Sequence, residues 1–263
     1  MIEATETIVS AETGGQVQVL CFDEGSSIGR GDTLLIIDPS RPELELASAR
    51  AGREVAVAKL AAARVELTRA GSTETFAGKE LDRLTRLLAS STATQRQFDR
   101  AEYEYALAAS GLEAARTAMA TIEAELVRID ADIARLVRRL QDCYPVAPLA
   151  GTVTEKYVEA GELLSPGRPV ARIACLDTVW VKAYLPAGDF VEVRLGDAAT
   201  VDTEAGATYP GRVTWTSEEA EFTPKNVQTK KSRADLVYAV KVQVANSDGK
   251  LKTGMPVYVT LGE

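Results

Sequence analysis

The chain has 263 residues, a formal net charge of −8 and no histidine. An acidic chain argues against a nucleic-acid binder, whose contact surface is basic, and the lack of histidine removes the commonest general base and metal ligand. The cysteines Cys21, Cys143 and Cys175 are widely spaced and odd in number, so they predict neither a disulfide framework nor a metal site.

Residues 1–38 predict short β-strands separated by glycine turns. Residues 16–20 alternate polar and apolar side chains, and residues 34–37 form a short apolar run. A helix is then expected to begin at Ser40, because Ser40 and Glu43 fit a capping box and a proline between them is tolerated in a first helical turn.

Residues 43–140 predict two long helices that fold back on each other. Apolar side chains recur with a heptad period, which places two rows on one face of each helix. The rows of the first helix are Leu60, Leu67, Glu74, Leu81 and Leu88, and Ala49, Ala56, Ala63, Ala70, Ala77 and Leu84. The rows of the second helix are Phe98, Tyr105, Leu112, Met119, Leu126, Ile133 and Leu140, and Ala101, Ala108, Ala115, Ile122, Ile129 and Leu136.

The polar break at residues 89–94 predicts an antiparallel hairpin with arms of about 70 Å. Thr94 and Gln97 fit a second capping box, so the return helix is expected to begin near Thr94 and to end near Gln141. Within the first arm we expect a kink or a local loss of regular winding, but not the end of the helix, because Gly71 costs about 1 kcal/mol relative to alanine and Glu74 occupies a row position.

The stretch after the hairpin repeats the stretch before it. Gly151-Thr152-Val153 matches Gly15-Gln16-Val17, and the glycines at 25 and 31 recur at 161 and 167, all with one offset (151 − 15 = 136). This is an internal repeat interrupted by the hairpin. Because neither half could bury its apolar face alone, the two halves predict one small β-sandwich. From Asp177 onward, alternating strands separated by turn signals predict a small antiparallel β-barrel.

This combination resembles the periplasmic adaptor proteins, also called membrane fusion proteins of the HlyD type. Residues 15–38 and 151–173 resemble the two halves of that family's lipoyl-like domain. Residues 222–229, together with residues 236–238 and 254–257, are similar to the barrel of adaptors that serve ABC-type exporters. The resemblance implies an adaptor that links an inner-membrane transporter, of the ABC type, to a TolC-like outer-membrane channel for efflux or secretion.

The expected fold class is α+β, with three domains. A lipoyl-like β-sandwich is formed by the split halves 1–39 and 145–175, an α-helical coiled-coil hairpin occupies 40–144, and a β-barrel domain occupies 176–263. The resemblance implies a periplasmic protein associated with the inner membrane through a segment absent from this chain. It also implies a homo-oligomeric ring, commonly of six copies in this family.

The family docks its hairpin tip onto the channel through an arginine, a leucine four positions later and a serine seven further on. Arg83 and Leu87 match this motif, and Thr94 stands in place of the serine and keeps the hydroxyl group. The same residues have simpler interpretations: a solvated arginine, a leucine beside the heptad rows and a helix N-cap.

A basic cluster in the barrel segment stands out in this acidic chain: Lys225, Lys230, Lys231 and Arg233. One interpretation is contact with the transporter or with lipid headgroups. The alternative is an ordinary solvated loop.

Other classes of protein fit less well. A structural coiled-coil scaffold or dimerisation rod is the serious alternative, but it does not explain the split repeat. A lipoyl or biotin carrier would need a modified lysine where the hairpin lies. The sequence has no phosphate loop and no nucleophile elbow, so we expect no enzymatic activity, no cofactor, no metal and no nucleic-acid partner.

Overall fold

The computed structural model describes residues 1–222 and 236–262. The chain divides into two compact units, of which one contains Met1–Asp38 and Asp142–Glu263 and the other contains Pro39–Gln141. The smaller unit is helical and the larger one is built from β-strands.

The helical unit is the predicted antiparallel hairpin of α1 (Ser40–Ala89) and α2 (Gln95–Gln141). Every side chain in the four predicted heptad rows is buried or half-buried, whereas most positions between the rows are exposed. The rows are therefore confirmed as the seam between the two helices. Arg53 occupies the same seam nearer the start of α1, and its Nε lies 2.6 Å from Oδ1 of Asp130 on α2.

The loss of regular winding predicted near Gly71 is wrong, because α1 runs without a break from Ser40 to Ala89. Gly71 lies close to Leu112 of α2, and packing against a partner helix outweighs a local propensity cost of about 1 kcal/mol. Glu74 is also accommodated in the seam. Interaction with its carboxylate, mainly through hydrogen bonding, raises the pKa of Tyr105 on α2.

The capping box predicted at Ser40 is wrong as well. The N-cap residue of α1 is Pro39, and it makes no side-chain capping hydrogen bond. Its carbonyl oxygen instead accepts the N–H of Glu43 at 2.9 Å. Because the proline already has helical dihedral angles, the helix begins one residue earlier than the box requires and Ser40 becomes its first residue.

The larger unit contains the predicted sandwich, and its two halves complete each other. Its strands are β1 (Ile2–Ser10), β2 (Gly15–Leu20), β3 (Ser27–Ile28), β4 (Leu35–Ile37), β5 (Gly151–Lys156), β6 (Leu163–Leu164) and β7 (Pro169–Pro186). The short strand β3 of the first half pairs with β5 of the second, and β6 of the second half pairs with β2 of the first. Each half therefore contributes a short strand that pairs with a longer strand of the other half.

The repeat is also visible in the backbone. Gly15 and Gly151 begin the equivalent strands β2 and β5. Gly25 and its counterpart Gly161 both take left-handed dihedral angles, with φ of 84° and 88°. One apolar core joins the two halves, with Val17, Leu35, Ile37, Val153, Leu164 and Ile173 all buried within it.

The remaining strands extend the sheet that contains β7. They are β8 (Ala198–Thr203), β9 (Thr208–Thr216), β10 (Glu221–Phe222), β11 (Leu236–Ala245) and β12 (Val257–Leu261), with a short helix α3 (Ala187–Phe190) after β7. The main order is β12-β8-β9-β11-β7, with antiparallel neighbours. This part has its own core, which includes Val181, Val201, Val213 and Val242.

The predicted barrel is not closed by a continuous ladder within the described residues, where β12 pairs only with β8. On the other side, only the backbone of Ile2 reaches the turn that precedes β12. The Ile2 N–H donates to the Met255 carbonyl at 3.1 Å, and the Gly254 N–H donates to the Ile2 carbonyl at 2.9 Å. The described strands therefore form an open antiparallel sheet.

Candidate docking site at the hairpin tip

The turn between α1 and α2 is held by a double hydrogen-bonded cap. The Thr92 N–H donates to the Leu87 carbonyl at 2.8 Å, and the Ser91 N–H donates to the Leu88 carbonyl at 2.9 Å. This is the Schellman arrangement, in which the residue after the cap is left-handed and is usually glycine. Ser91 occupies that position here with φ of 55°. The tip is therefore a defined turn in which a serine accepts a conformation that favours glycine.

Thr94 caps the second helix, as its sequence context predicted. Its N–H donates to Oε1 of Gln97 at 2.8 Å, and the Gln97 N–H lies 3.4 Å from the Thr94 hydroxyl oxygen. The capping box is confirmed, and the exposed Thr94 lies directly beside the turn. The cap alone explains a hydroxyl at this position, so the cap is not evidence for a contact between Thr94 and a partner.

Arg83 lies about 9 Å below the end of α1 and is paired along its own helix. Its Nε donates to Oε2 of Glu80 at 3.0 Å, and this hydrogen bond is the main reason that the pKa of the Glu80 carboxyl is lowered. The Arg83 side chain is still 59% exposed. The ion pair therefore holds the guanidinium in one orientation and leaves much of it accessible.

Leu87 is half-buried rather than exposed. Its carbonyl accepts hydrogen bonds from the N–H groups of Thr92 and Ala93 and from the hydroxyl of Ser90. Among the described residues between Phe76 and Tyr103, no large apolar side chain is strongly exposed. The tip therefore presents a mostly polar surface with one partly covered leucine.

The tip carries a further cation, Arg96, which the sequence motifs did not predict. Arg96 lies in the first turn of α2, where the helix dipole disfavours positive charge and where no acidic residue offsets it. It is exposed, and it forms no ion pair with any residue in the described part of the chain. Its guanidinium is thus available to an acceptor outside the hairpin. The only signal in the sequence was a basic residue two positions after the Thr94 cap.

Another surface runs along the hairpin at its outermost heptad positions, which we call the outer rows. These positions carry no charge over much of each helix, and all of them are exposed. The outer row of α1 is Leu44, Ala51, Ala58, Val65 and Ser72, and that of α2 is Tyr103, Ser110, Thr117, Ala124 and Ala131. Charged residues are the norm on the water-facing side of a two-helix coiled coil, so both rows are unusual.

The other candidate residues give no further site. Lys225, Lys230, Lys231 and Arg233 lie outside the described residues. In the part of the chain that is described, no group of acidic, cysteine or histidine side chains is arranged to hold a metal ion. No helix within residues 1–222 and 236–262 has the apolar stretch that crossing a bilayer requires.

Two family models together match most of the sequence. Residues 6–175 match the model described as RND MFP, barrel-sandwich hybrid domain. Residues 178–263 match the model described as CusB-like, beta-barrel domain.

Relatives and solved structures agree with these models. A protein named "UPF0194 membrane protein in asrC 5'region" from Acidithiobacillus ferridurans is 30% identical over 98% of this chain and 84% of its own length. A UPF0194 membrane protein from Yersinia pseudotuberculosis serotype O:3 is 31% identical over 93% and 83%.

Two solved structures share the fold. MacA from Actinobacillus actinomycetemcomitans has a TM-score of 0.67 and 19% identity, with 99% of this chain and 75% of that chain covered. The membrane fusion protein Spr0693 from Streptococcus pneumoniae R6 has a TM-score of 0.56 and 18% identity, with 99% and 96% covered. These likenesses show the fold of the chain.

Proposed function

The chain belongs to the membrane fusion protein family, and we propose that it works as the periplasmic adaptor between an inner-membrane ABC-type transporter and a TolC-like outer-membrane channel. The observation that carries this proposal is the hairpin, which ends in an ordered, mostly polar turn with Arg83, Leu87 and Thr94 around it. The ABC type of the transporter rests on the resemblance of the barrel motifs in the sequence. The proposed role is mechanical and needs no enzymatic activity.

The chemistry of the tip supports docking through hydrogen bonds and charge, with a small apolar contribution. A channel whose helices end in carbonyl groups and carboxylates would accept bonds from the guanidinium of Arg83, which its pairing with Glu80 already orients. Full burial of a leucine is worth about 1.5 to 3 kcal/mol, and the half-buried Leu87 can supply only part of that. Arg96, which has no ion pair with any described residue, adds a second donor at the same end.

The outer rows support assembly into a ring of identical copies. A hairpin has two different edges, so the α1 edge of one copy can meet the α2 edge of the next and the contact can repeat until the ring closes. Measured from the turn, the two outer rows overlap over a length of about 30 Å. Alanine and serine at these positions would allow the helices to approach closely. The number of copies is proposed to be six, as is common in the family.

Ala58→Glu should reduce assembly, because it places a charge in the middle of the α1 outer row, where it would lose its hydration on contact with a neighbour. We expect the fraction of oligomer in membrane extracts to fall by about tenfold, measured by cross-linking and gel electrophoresis. Thr73→Glu is the matched control, since it adds the same charge at an exposed position of α1 outside the outer row. Equal assembly of both variants would contradict the assignment of the outer rows.

Deletion of the gene in its native host tests the role as a whole. We expect the deleted strain to lose export of at least one compound or secreted protein, measured by resistance to a panel of antimicrobial compounds and by the secreted-protein profile. The complete gene on a plasmid should restore export. A structural rod without a transport role predicts that neither measurement changes on deletion.

A further inference from the structure

We propose that the β-barrel part contains a binding site for small apolar molecules that carry a positive charge. The site is a cavity of about 360 Å³ at one end of the sheet. One wall is the turn between β8 and β9, and the other is the segment between β11 and β12. This proposal concerns a different part of the molecule from the hairpin tip and does not depend on docking to a channel.

The wall of the cavity is mainly apolar. It is formed by Ala205, Ala207, Tyr209, Leu251, Met255 and Pro256. Leu251 is fully buried and Met255 is half-buried, so this part of the wall is shielded from solvent. A cavity of about 150 Å³ is large enough to bind benzene, and ligand sites usually begin near 300 Å³. This cavity therefore has room for a molecule of about two fused aromatic rings.

The β11–β12 wall is fixed in place by a buried amide. Asn246 is 3% exposed, and its Nδ2 donates to the carbonyls of Leu176 at 2.8 Å and Leu251 at 3.0 Å. Its Oδ1 accepts the N–H of Leu251 at 2.9 Å. All three of these hydrogen bonds are made within the protein, so the segment between β11 and β12 keeps its position without a ligand. A preformed site loses little entropy when a ligand binds.

The β8–β9 wall is held in a similar way. The Thr203 hydroxyl donates to the Ala207 carbonyl at 3.1 Å and accepts the Ala207 N–H at 3.1 Å. These two bonds close the turn that carries Ala205. Since both walls are pinned by hydrogen bonds at their ends, the cavity between them is a standing feature of the fold.

The charges at the mouth of the cavity favour a cation. Asp248 accepts a hydrogen bond from the Tyr209 hydroxyl at 2.9 Å, and the same carboxylate oxygen lies 3.5 Å from the ammonium group of Lys250. Asp248 therefore neutralises Lys250. Glu204 lines the mouth, is exposed, and has no ion pair with any described residue. The mouth thus keeps one unbalanced negative charge, which would attract a positively charged group attached to the apolar part of a ligand.

Three naphthalene derivatives of similar size test both the cavity and its charge preference: 1-naphthylmethylammonium, 1-naphthylmethanol and 1-naphthoate. Their binding to the purified chain is measured by isothermal titration calorimetry at low salt, without a channel or a transporter. We expect the cation to bind about three- to tenfold more tightly than the neutral alcohol, and the anion to bind most weakly. Glu204→Gln should remove the difference between cation and alcohol while leaving alcohol binding unchanged.

Variants that fill the cavity test whether the three probes bind inside it. Ala207→Phe should weaken binding of all three probes by at least about tenfold, whereas Ala187→Phe, at an exposed alanine outside the cavity, should leave binding unchanged. If circular dichroism shows that Ala207→Phe is unfolded, Ala205→Phe replaces it, because this residue is exposed on the turn. Saturable binding that survives both filling variants, or no binding at millimolar concentration, would overturn the site. Equal affinity for the three probes would overturn the charge preference.

Discussion

Leu87→Asp should abolish export in the native host while the hairpin remains folded. The side chain is half-buried at the end of α1, so a carboxylate there would put a negative charge and its hydration shell into the docking surface. The hairpin itself should tolerate the change. The cap depends on the backbone carbonyl of Leu87, and the seam residues Leu84 and Leu88 on either side are unchanged.

The cost to the hairpin should be modest. A negative charge near the C-terminus of a helix is unfavourable by roughly 0.3 to 1 kcal/mol, and loss of the half-buried leucine adds part of the roughly 1.5 to 3 kcal/mol that a fully buried one is worth. The seam between the two helices is long enough for the hairpin to stay folded after such a loss of stability. We therefore expect the circular dichroism spectrum of the purified variant to match that of the wild type, and export to fall to the level of a strain without the gene.

Companion variants separate docking from folding. Val57→Asp makes the same chemical change on α1 about 48 Å from the tip and should preserve export. Arg83→Glu should act like Leu87→Asp, since it reverses the charge and places a second carboxylate beside that of Glu80. Thr94→Ser should be silent, because serine keeps the cap. Full export by a normally folded Leu87→Asp variant would show that the tip assignment is wrong.

Gly151→Ala should strongly destabilise the sandwich. A Cβ atom at this position would lie 2.4 Å from the carbonyl oxygen and 2.9 Å from the carbonyl carbon of Ala174 in β7. Both atoms belong to the backbone of a paired strand, so they cannot move without breaking the ladder between β5 and β7. We expect a loss of stability of about 3 kcal/mol or more, which is the upper range for overpacking a core.

Urea unfolding followed by tryptophan fluorescence measures this loss, because Trp180 lies on β7 in the same unit as Gly151. Gly52→Ala is the matched control. A Cβ atom there has open space, and Gly52 belongs to the helical unit whereas Trp180 and Trp215 lie in the other unit, so the fluorescence transition should not change. An unchanged unfolding midpoint for Gly151→Ala would mean that β5 and β7 are not packed as described.

The parts of the fold that follow a regular period could be predicted from the sequence. The heptad spacing fixes which side of each helix is buried, and the offset of 136 between Gly15 and Gly151 fixes the two halves of the sandwich. Both patterns are set by backbone geometry, so they hold whatever the neighbouring side chains do.

Features that depend on competition between local and long-range forces could not be predicted. The helix stays regularly wound at Gly71 because packing against Leu112 outweighs a local cost, and Ser40 is not the N-cap because Pro39 already has helical angles. At the tip, the motif gave the positions of Arg83 and Leu87. It could not give the half-burial of the Leu87 side chain, which depends on tertiary packing.

The cavity in the β-barrel part could not be predicted from the sequence for a related reason. Its shape depends on a buried bond between Asn246 and Leu176, which are far apart in the sequence. No periodic pattern marks such a contact, and an asparagine beside a turn sequence is usually only a turn residue.

Photo-cross-linking from the tip in living cells tests the adaptor role most directly. A photoreactive amino acid is placed at Ser91, in the turn, and separately at Ala131, in the outer row of α2. Irradiation should join the Ser91 variant to an outer-membrane channel protein, identified by mass spectrometry, and should join the Ala131 variant to a second copy of the chain. A Ser91 variant that supports full export yet forms no adduct with any outer-membrane protein would contradict the account.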